Sequence, residues 1–407
     1  MRDFGDLQTQ CCIAGGGPAG IMLGFLLARQ GVDVVVLEKW PDFFRDFRGD
    51  TIHPSTLTIL KELGLLDKFL QLPHNQTEQI AVHVGGESAN VADFRHIGAV
   101  VPFLAFVPQW DFLNFITTEA KKFPNFHLHM ETEAIGVDET NGKVIGVRAR
   151  SKEGEFTITA DLVVGADGRD STIRAASKLK SHDLKAPIDV LWFRLSQTPN
   201  EEAKTLGYID KRHMMVLIDR DTYWQCGFLI RKGDLTRVQD KGLDAFRKTI
   251  AAIAPILKDK VHELTSWDSV KLLSVTVDRL YTWYKPGLLC IGDSAHAMSP
   301  VGGVGINLAI ADAVAAANIL GPAFMSGEGV TIQALSKIQR RRELPARIIQ
   351  YFQVFIQTHI LEPVLKNNNP KMPLPLRVLN RVPFLQRIPA FLIGFGFRPE
   401  HVEGDSV

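Results

Sequence analysis

The chain reads as an α/β protein with a second, inserted β-sheet (α+β) and a helical C-terminal region, and three features of the sequence predict this. A strand–turn–helix–strand unit occupies residues 11–38. Two further apolar runs, ending near residues 165 and 291, each stop at a glycine–acid turn that leads into a helix. Stretches of β-branched alternation lie between these turns. At 407 residues the chain is longer than one hydrophobic core usually supports, which fits two structural units or one carrying a large insertion.

The first unit runs CCIA, a glycine cluster, IMLGFLLARQ, then VDVVVL. Gly15, Gly17 and Gly20 have G-x-G-x-x-G spacing, and each has its own task. Gly15 makes the tight turn off the strand, Gly17 lets a pyrophosphate approach the backbone, and Gly20 lets the helix lie close to the sheet. Phosphates would then sit on free N–H groups at the positive end of the helix dipole. Glu38 closes the second strand 18 positions after Gly20, where a carboxylate can accept from a ribose 2′-OH. An adenosine diphosphate moiety follows, although this fingerprint alone does not separate NAD from FAD.

Two later segments separate them. Residues 161–174 read DLVVGADGRDSTIR, and residues 288–313 read LLCIGDSAHAMSPVGGVGINLAIADA. With the first fingerprint these resemble the class A flavoprotein monooxygenases, the para-hydroxybenzoate hydroxylase-like family, whose patterns are GxGxxG, GADGxxSxxR and GDxAHxxxPxxGxGxN. All three occur in family order, and the likeness spans roughly residues 10–320. It implies a Rossmann-like, GR2-type FAD-binding domain with non-covalent FAD, NADPH or NADH as a transient cosubstrate, and O2. In that chemistry the flavin is reduced, O2 adds to give a C4a-hydroperoxide, and one oxygen passes to an aromatic or similarly activated small molecule.

By this resemblance the FAD-contacting residues are Gly15, Gly17, Pro18, Ala19, Gly20, Glu38, Lys39, Arg48, Gln109, Asp167, Gly292, Asp293, Pro300, Gly303, Val304, Gly305, Ile306 and Asn307. Asp293 would accept from ribityl hydroxyls, Arg48 would contact the pyrophosphate, and the turn 300–305 would present N–H groups to the flavin's pyrimidine edge. Asp167 has a bland alternative as a turn-forming Asp-Gly pair, and His296 reads as a residue that orders its turn. A substrate base is not legible, because no one residue type is obligatory for the chemistry. His213, Tyr223 and Arg194, on or beside substrate-sheet strands, are weak candidates, each more readily read as structural.

The inserted sheet is expected from runs at residues 80–84, 100–107, 190–195, 214–218, 223–230 and 270–277. The resulting division is a discontinuous FAD domain (1–73, 106–182, 281–360), a substrate sheet (74–105, 183–280) and a C-terminal cap (361–407). After Pro322 a helix is expected over 333–358, with QRRRELPARIIQ carrying its basic residues on a solvated face. The last segment combines prolines, apolar residues and arginines, which suits a cap packed over the FAD domain, a homodimer contact, or a surface for lipid or an apolar substrate.

Composition narrows the partners. Lys+Arg total 46 against 45 for Asp+Glu, so no global field gathers nucleic acid or membrane. Four cysteines offer no CxxC pair and no metal-ligand spacing, consistent with a reducing cytoplasm. No export signal is visible near the N-terminus, and the apolar run 388–397 is about half of the ~20 residues a spanning helix needs. Competing functions are a flavin halogenase, whose WxWxIP motif is missing around Trp192, Trp224, Trp267 and Trp283, a reductase of isoprenoid-like double bonds, a catalytically silent FAD-binding module, and a dehydrogenase using only the first fingerprint.

Overall fold

The structure, a computed structural model, describes residues 7–44, 51–198, 206–220, 222–327, 329–363 and 370–403. An eight-stranded sheet forms its base. The main path runs Tyr284–Lys285, Leu288–Cys290, Gly154–Gly165, Leu7–Ala14, Val34–Leu37 and Phe126–His129, and the hairpin Glu133–Thr140 with Lys143–Ser151 pairs onto Gly154–Gly165. The last five strands of that path are mutually parallel. Their runs are apolar because helices or loops cover both faces; Cys11, Cys12, Ile13 and Ala14 are all fully buried.

Register is the feature that matters for function. Ala14 pairs with both Gly165 and Leu37, and Gly165 pairs with Cys290. Four parallel strands therefore stop on one level, and the chain leaves each of them at a motif residue: Gly15, Glu38, Ala166 or Ile291. The helices Pro18–Arg29 and Gly305–Met325 pack against each other beside this edge. Ala313, Ala316 and Ala317, all buried, keep the second helix slim enough for close approach. With the turn before it, this helix (Val301–Met325) is the one described helix long and apolar enough to cross a membrane. Here 61% of its apolar window is buried inside the protein.

The second sheet has seven strands in the order Lys271–Leu273, Ile188–Ser196, Tyr223–Arg231, His213–Asp219, Leu206–Asp210, Gln79–Val84 and Glu87–Asp93. Side chains alternate between its two faces. Leu191, Phe193, Leu195, Met215, Leu217, Trp224, Cys226 and Phe228 pack outward onto Phe246 and Ile250 of the helix Leu243–Ile253. Val190, Trp192, Met214, Val216 and Leu229 face inward and share a cluster with Val301, in the glycine turn that precedes the helix Gly305–Met325.

Two expected strands come out shorter than their apolar runs. Of residues 100–107 only Leu104–Phe106 is a strand, and it lies between Thr51–Ile52 and Asn75–Thr77 in a separate small sheet. The run 270–277 breaks after Leu273, where the Val275 N–H goes to the Asp189 carboxylate (2.9 Å) instead of the ladder. The helix expected over 333–358 spans Ile332–Ile356 and accommodates a buried Pro345. Beyond it, Leu374–Arg381 and Arg387–Gly394 are short helices. Met372 packs on Val84, Ala89 and Ile209, and Ala390 packs on Ala92, Phe94 and Leu104, so the segment caps one end of the seven-stranded sheet.

Candidate active site

Three turns meet at the shared strand edge, and the fit is between backbones. Gly15 has φ +108°, and a Cβ there would collide with the Ala166 carbonyl and lie 2.8 Å from the Asp167 Cα. The DG turn thus sits directly on the first glycine turn. A Cβ at Gly20 would collide with the Gly15 carbonyl, which is the close helix–sheet packing the sequence predicts. Gly292, at φ +59°, leaves 3.1 Å between a Cβ position and the Ala19 methyl, bringing the GD turn onto the same helix. Gly17 differs from these: nothing lies within 4 Å of where its Cβ would be. That open space lies at the start of the helix Pro18–Arg29, which no side chain caps, so its first N–H groups remain available to an anion.

The acids around this space are held in place. Glu38 accepts from the Gly16 N–H and the Trp40 N–H, both at 3.1 Å. Exposed Lys39 reaches back over the Trp40 ring. Asp167 accepts from Ser171 Oγ (2.5 Å) and from the Ile173 N–H (3.0 Å), and so also acts as a helix-start acceptor. Burial pushes its carboxyl above the ordinary range, although those hydrogen bonds pull the other way. Arg174 is tied to Asp278 (3.1 Å) and to the Arg169 carbonyl (2.7 Å), a brace for the DG turn.

Arg169 escaped the sequence reading. Its Nη2 donates to Asp293 Oδ2 at 3.3 Å, while Nε and Nη1 are buried with no partner among the described residues. A partly buried cation with two unspent buried donors beside the expected ribityl acceptor suits a polyhydroxylated, doubly phosphorylated ligand. Its only sequence signal is its place immediately after Asp167-Gly168. Ser294 ties two strand ends together, with its Oγ 2.5 Å from the Gly165 carbonyl and 2.8 Å from that of Ile291.

The turn 300–305 enters the helix Gly305–Met325, which likewise has no side-chain cap. Gly302 and Gly303 take φ +83° and +62°, conformations an L side chain rarely adopts. The Asn307 side chain is committed to protein: Oδ1 accepts from the His53 N–H and Thr56 Oγ1, and Nδ2 donates to the Thr51 carbonyl, all at 2.8 Å. From Asn307 only the backbone is left to meet a ligand. Pro300, Val304 and Ile306 flank the same turn. Gln109 begins the helix Gln109–Ala120 directly after Pro108. Arg48 lies outside the described residues.

The GD turn rests on a buried ion network. His296 Nε2 lies 2.5 Å from Asp312 Oδ2, which also accepts from the Gly292 N–H, and Arg342 Nε donates to Asp312 Oδ1 at 2.9 Å. Arg342 Nη1 continues to Glu400 at 3.0 Å. Burial drives the Asp312 carboxyl up, but His296 and Arg342 outweigh that and leave it below its ordinary value. This corrects one expectation: Arg342, in the run expected on a solvated face, is 1% exposed. Its neighbours Arg340 and Arg341 are exposed.

Of the three weak candidates on the substrate sheet, two share the inner face by strand parity with Val190 and Leu229. They are Arg194 and Tyr223, with the guanidinium 4.9 Å from the ring centroid. His213 falls on the opposite, helix-covered face, against Phe228 at 5.4 Å. Burial, then Lys241, lowers its pKa. Trp192, also inner, lies over Gly227, where a Cβ would come within 2.9 Å of the indole.

Glycine turns, uncapped helix starts and carboxylates arranged along one sheet edge, opposite a second sheet, define a nucleotide-dependent oxidoreductase of the flavoprotein kind. The chain belongs to the FAD binding domain family, which it matches over residues 8–350, and it is an FAD-dependent monooxygenase of the aromatic-hydroxylating class. It is 30% identical over 315 residues to 6-methylpretetramide 4-monooxygenase of Streptomyces rimosus, covering 77% of this chain and 75% of that protein. To protoasukamycin 4-monooxygenase of Streptomyces nodosus subsp. asukaensis it is 24% identical over 363 residues, 83% and 86% of the two chains. The fold matches the solved structure of p-nitrophenol 4-monooxygenase from Pseudomonas putida DLL-E4, with TM-score 0.74, 18% identity, and coverage of 96% of this chain and 100% of that one.

Proposed function

We propose that this enzyme hydroxylates an electron-rich aromatic ring lying between the glycine turn 300–305 and the inner face of the seven-stranded sheet, with NADH or NADPH as reductant. One atom of O2 enters the substrate, the other leaves as water, and the nicotinamide supplies two electrons. Bound flavin supplies the electron transfer and the activation of O2. The protein's own part is to bind, orient and exclude water.

In this reading the space at Gly17 and the N–H groups of the helix Pro18–Arg29 take the pyrophosphate, and Glu38 takes the ribose. Asp293, steadied by Arg169, takes the ribityl chain. The N–H groups at the start of Gly305–Met325 face the flavin ring. The observation that carries the reading is the common register of the four parallel strands, which brings the motif turns to one edge. On the substrate side, Val190 packs in the Val301 cluster, and Arg194 lies four residues further along the same strand, roughly 13 Å away. Trp192 lies between them as a flat apolar surface. A fused or extended aromatic of that length would rest on the indole with its polar end at Arg194 and Tyr223. The names of the two relatives above, both of them 4-monooxygenases, support the insertion of one oxygen atom into an organic substrate.

The test is NADH and NADPH consumption against a panel of phenolic mono- and polycyclic compounds under 18O2, with mass analysis of product. Incorporation of one labelled oxygen into a polycyclic phenol is the expected result. A product reduced at a double bond and carrying no label would overturn the reading.

A further inference from the structure

The C-terminal segment carries a surface that the flavin site does not use. Between Glu362 and Glu400 the chain has no acidic residue. The inward sides of the two short helices there are consumed by packing on the sheet, through Leu376, with Met372 just before it, and through Ala390. Outward, Leu374, Val378 and Val382 follow one another at i, i+4 and i+8, and Phe384, Ile388 and Phe391 continue the series. All six are between 41% and 73% exposed. Lys371, Arg377, Arg381 and Arg387 are exposed among them, and none pairs with a carboxylate among the described residues. The Arg387 guanidinium lies 4.6 Å from the Phe384 ring centroid.

Large apolar side chains standing together in water mark a surface that meets something else. We infer that this face docks in the interface of an anionic lipid bilayer. Phe384, Ile388 and Phe391 enter the acyl boundary, and the arginines and Lys371 reach the lipid phosphates, as long cationic side chains do at such interfaces. The whole chain carries a net charge of only +1, so the attraction arises from the local charge of this segment and not from the overall charge. A second copy of the chain is the rival occupant, but charge opposes it. A two-fold contact through this face would bring Arg377, Arg381 and Arg387 near the same cations of the other copy, with no carboxylate in the segment to answer them. Docking would also turn the edge strand Glu87–Asp93, which the segment covers, toward the membrane.

The experiment is co-sedimentation of the full-length, FAD-loaded protein with vesicles of phosphatidylcholine alone, or of phosphatidylcholine and phosphatidylglycerol in equal parts. Binding to the mixed vesicles only, weakened by salt, is expected. Each of Arg377→Gln, Arg381→Gln and Arg387→Gln should lower the partition coefficient about fivefold, since a basic residue at an anionic surface is worth about 1 kcal/mol. The double variant Phe384→Ser/Ile388→Ser should reduce it further. All these positions are exposed, so FAD absorbance and melting temperature should not move. Equal binding to both vesicle types, no binding to either, or binding that the variants leave intact each overturns the inference. So does light scattering that shows a dimer which Phe384→Ser/Ile388→Ser converts to monomer while wild type ignores vesicles, because the occupant is then a second copy.

Discussion

Around the first glycine turn the contacts that fix the geometry all involve the main chain: the Ala166 carbonyl against Gly15, the Gly15 carbonyl against Gly20, and backbone N–H groups donating to the Glu38 carboxylate. On the inner face of the seven-stranded sheet they are side chains, with Trp192 laid over Gly227 and Arg194 stacked on Tyr223. A site made of backbone demands particular residues, chiefly glycine, at fixed spacings, so it leaves a signature in sequence and tolerates little change. A site made of side chains on a regular sheet can be rebuilt by substitution without disturbing the ladder. This predicts large, fold-linked effects at the strand edge and small, substrate-linked effects on the sheet.

The largest effect belongs to the ion network beneath the GD turn. Arg342→Met leaves Asp312 and Glu400 buried without their shared cation, and removing one partner of such a set costs about 3–5 kcal/mol. Urea denaturation of the FAD-loaded protein should register a loss of that order, with release of flavin. A change under 1 kcal/mol would mean the network is not the support assigned to it.

Next comes a proton. Buried His53 sits with Nδ1 2.6 Å from the Ile393 carbonyl, which can only accept, so Nδ1 carries the hydrogen and Nε2 is a buried lone pair with no partner among the described residues. Burial lowers its pKa from 6.5 to about 4, despite the opposing hydrogen bond to Ile393. Between those values the unfolded chain binds the proton and the native one does not, so stability is full above pH 6.5 and falls as pH drops toward 4, by about 3 kcal/mol in all. His53→Asn should flatten that part of the stability–pH curve by about one proton. An unchanged slope would show that His53 is protonated in the native state.

A pair of glycine variants cuts most directly at the contrast between the regions. Gly20→Ala drives a methyl into the Gly15 carbonyl, an overpacking worth about 1–3 kcal/mol, and should lower melting temperature and FAD content together. Gly17→Ala meets no protein atom, and its φ of −77° suits any residue, so its melting temperature without added FAD should match wild type. Its methyl would occupy only the approach path of the phosphates, and equilibrium titration with FAD should give a Kd raised about tenfold or more. If Gly17→Ala binds FAD normally, the pyrophosphate lies elsewhere.

The same contrast explains what the sequence could tell. The three turns were legible because each is local: strand, glycines and acid lie within a few residues of one another. Arg342 was not, since its carboxylates lie 30 residues before it and 58 after it, and a QRRREL run has the composition of a surface. Arg169 was hidden by standing beside two motif residues of stronger signal. The strands Glu87–Asp93, reading ESANVAD, and Leu206–Asp210, reading LGYID, lack the β-branched run by which strands such as Gln79–Val84 and Ile188–Ser196 were found. Parity along Ile188–Ser196 was visible, but which face looks inward was not, because apolar residues occupy both sides.

That last ambiguity sets the smallest and most discriminating expectation. Arg194 and His213 could both be named from sequence as polar residues of the substrate sheet, yet alternation puts them on opposite faces. Arg194→Ala should raise KM for the preferred aromatic about tenfold, the loss of one charge-assisted contact, while leaving the FAD Kd alone. Trp192→Ala should act in the same direction through lost stacking surface. His213→Ala, beneath the helix Leu243–Ile253 and beside Phe228, should keep KM and kcat within about twofold and register only as a modest stability change, as a half-buried side chain away from a site does. If His213→Ala instead abolished turnover with flavin still bound and melting temperature unchanged, the substrate would have to lie on the helix-covered side, and the inner face would lose the role assigned to it.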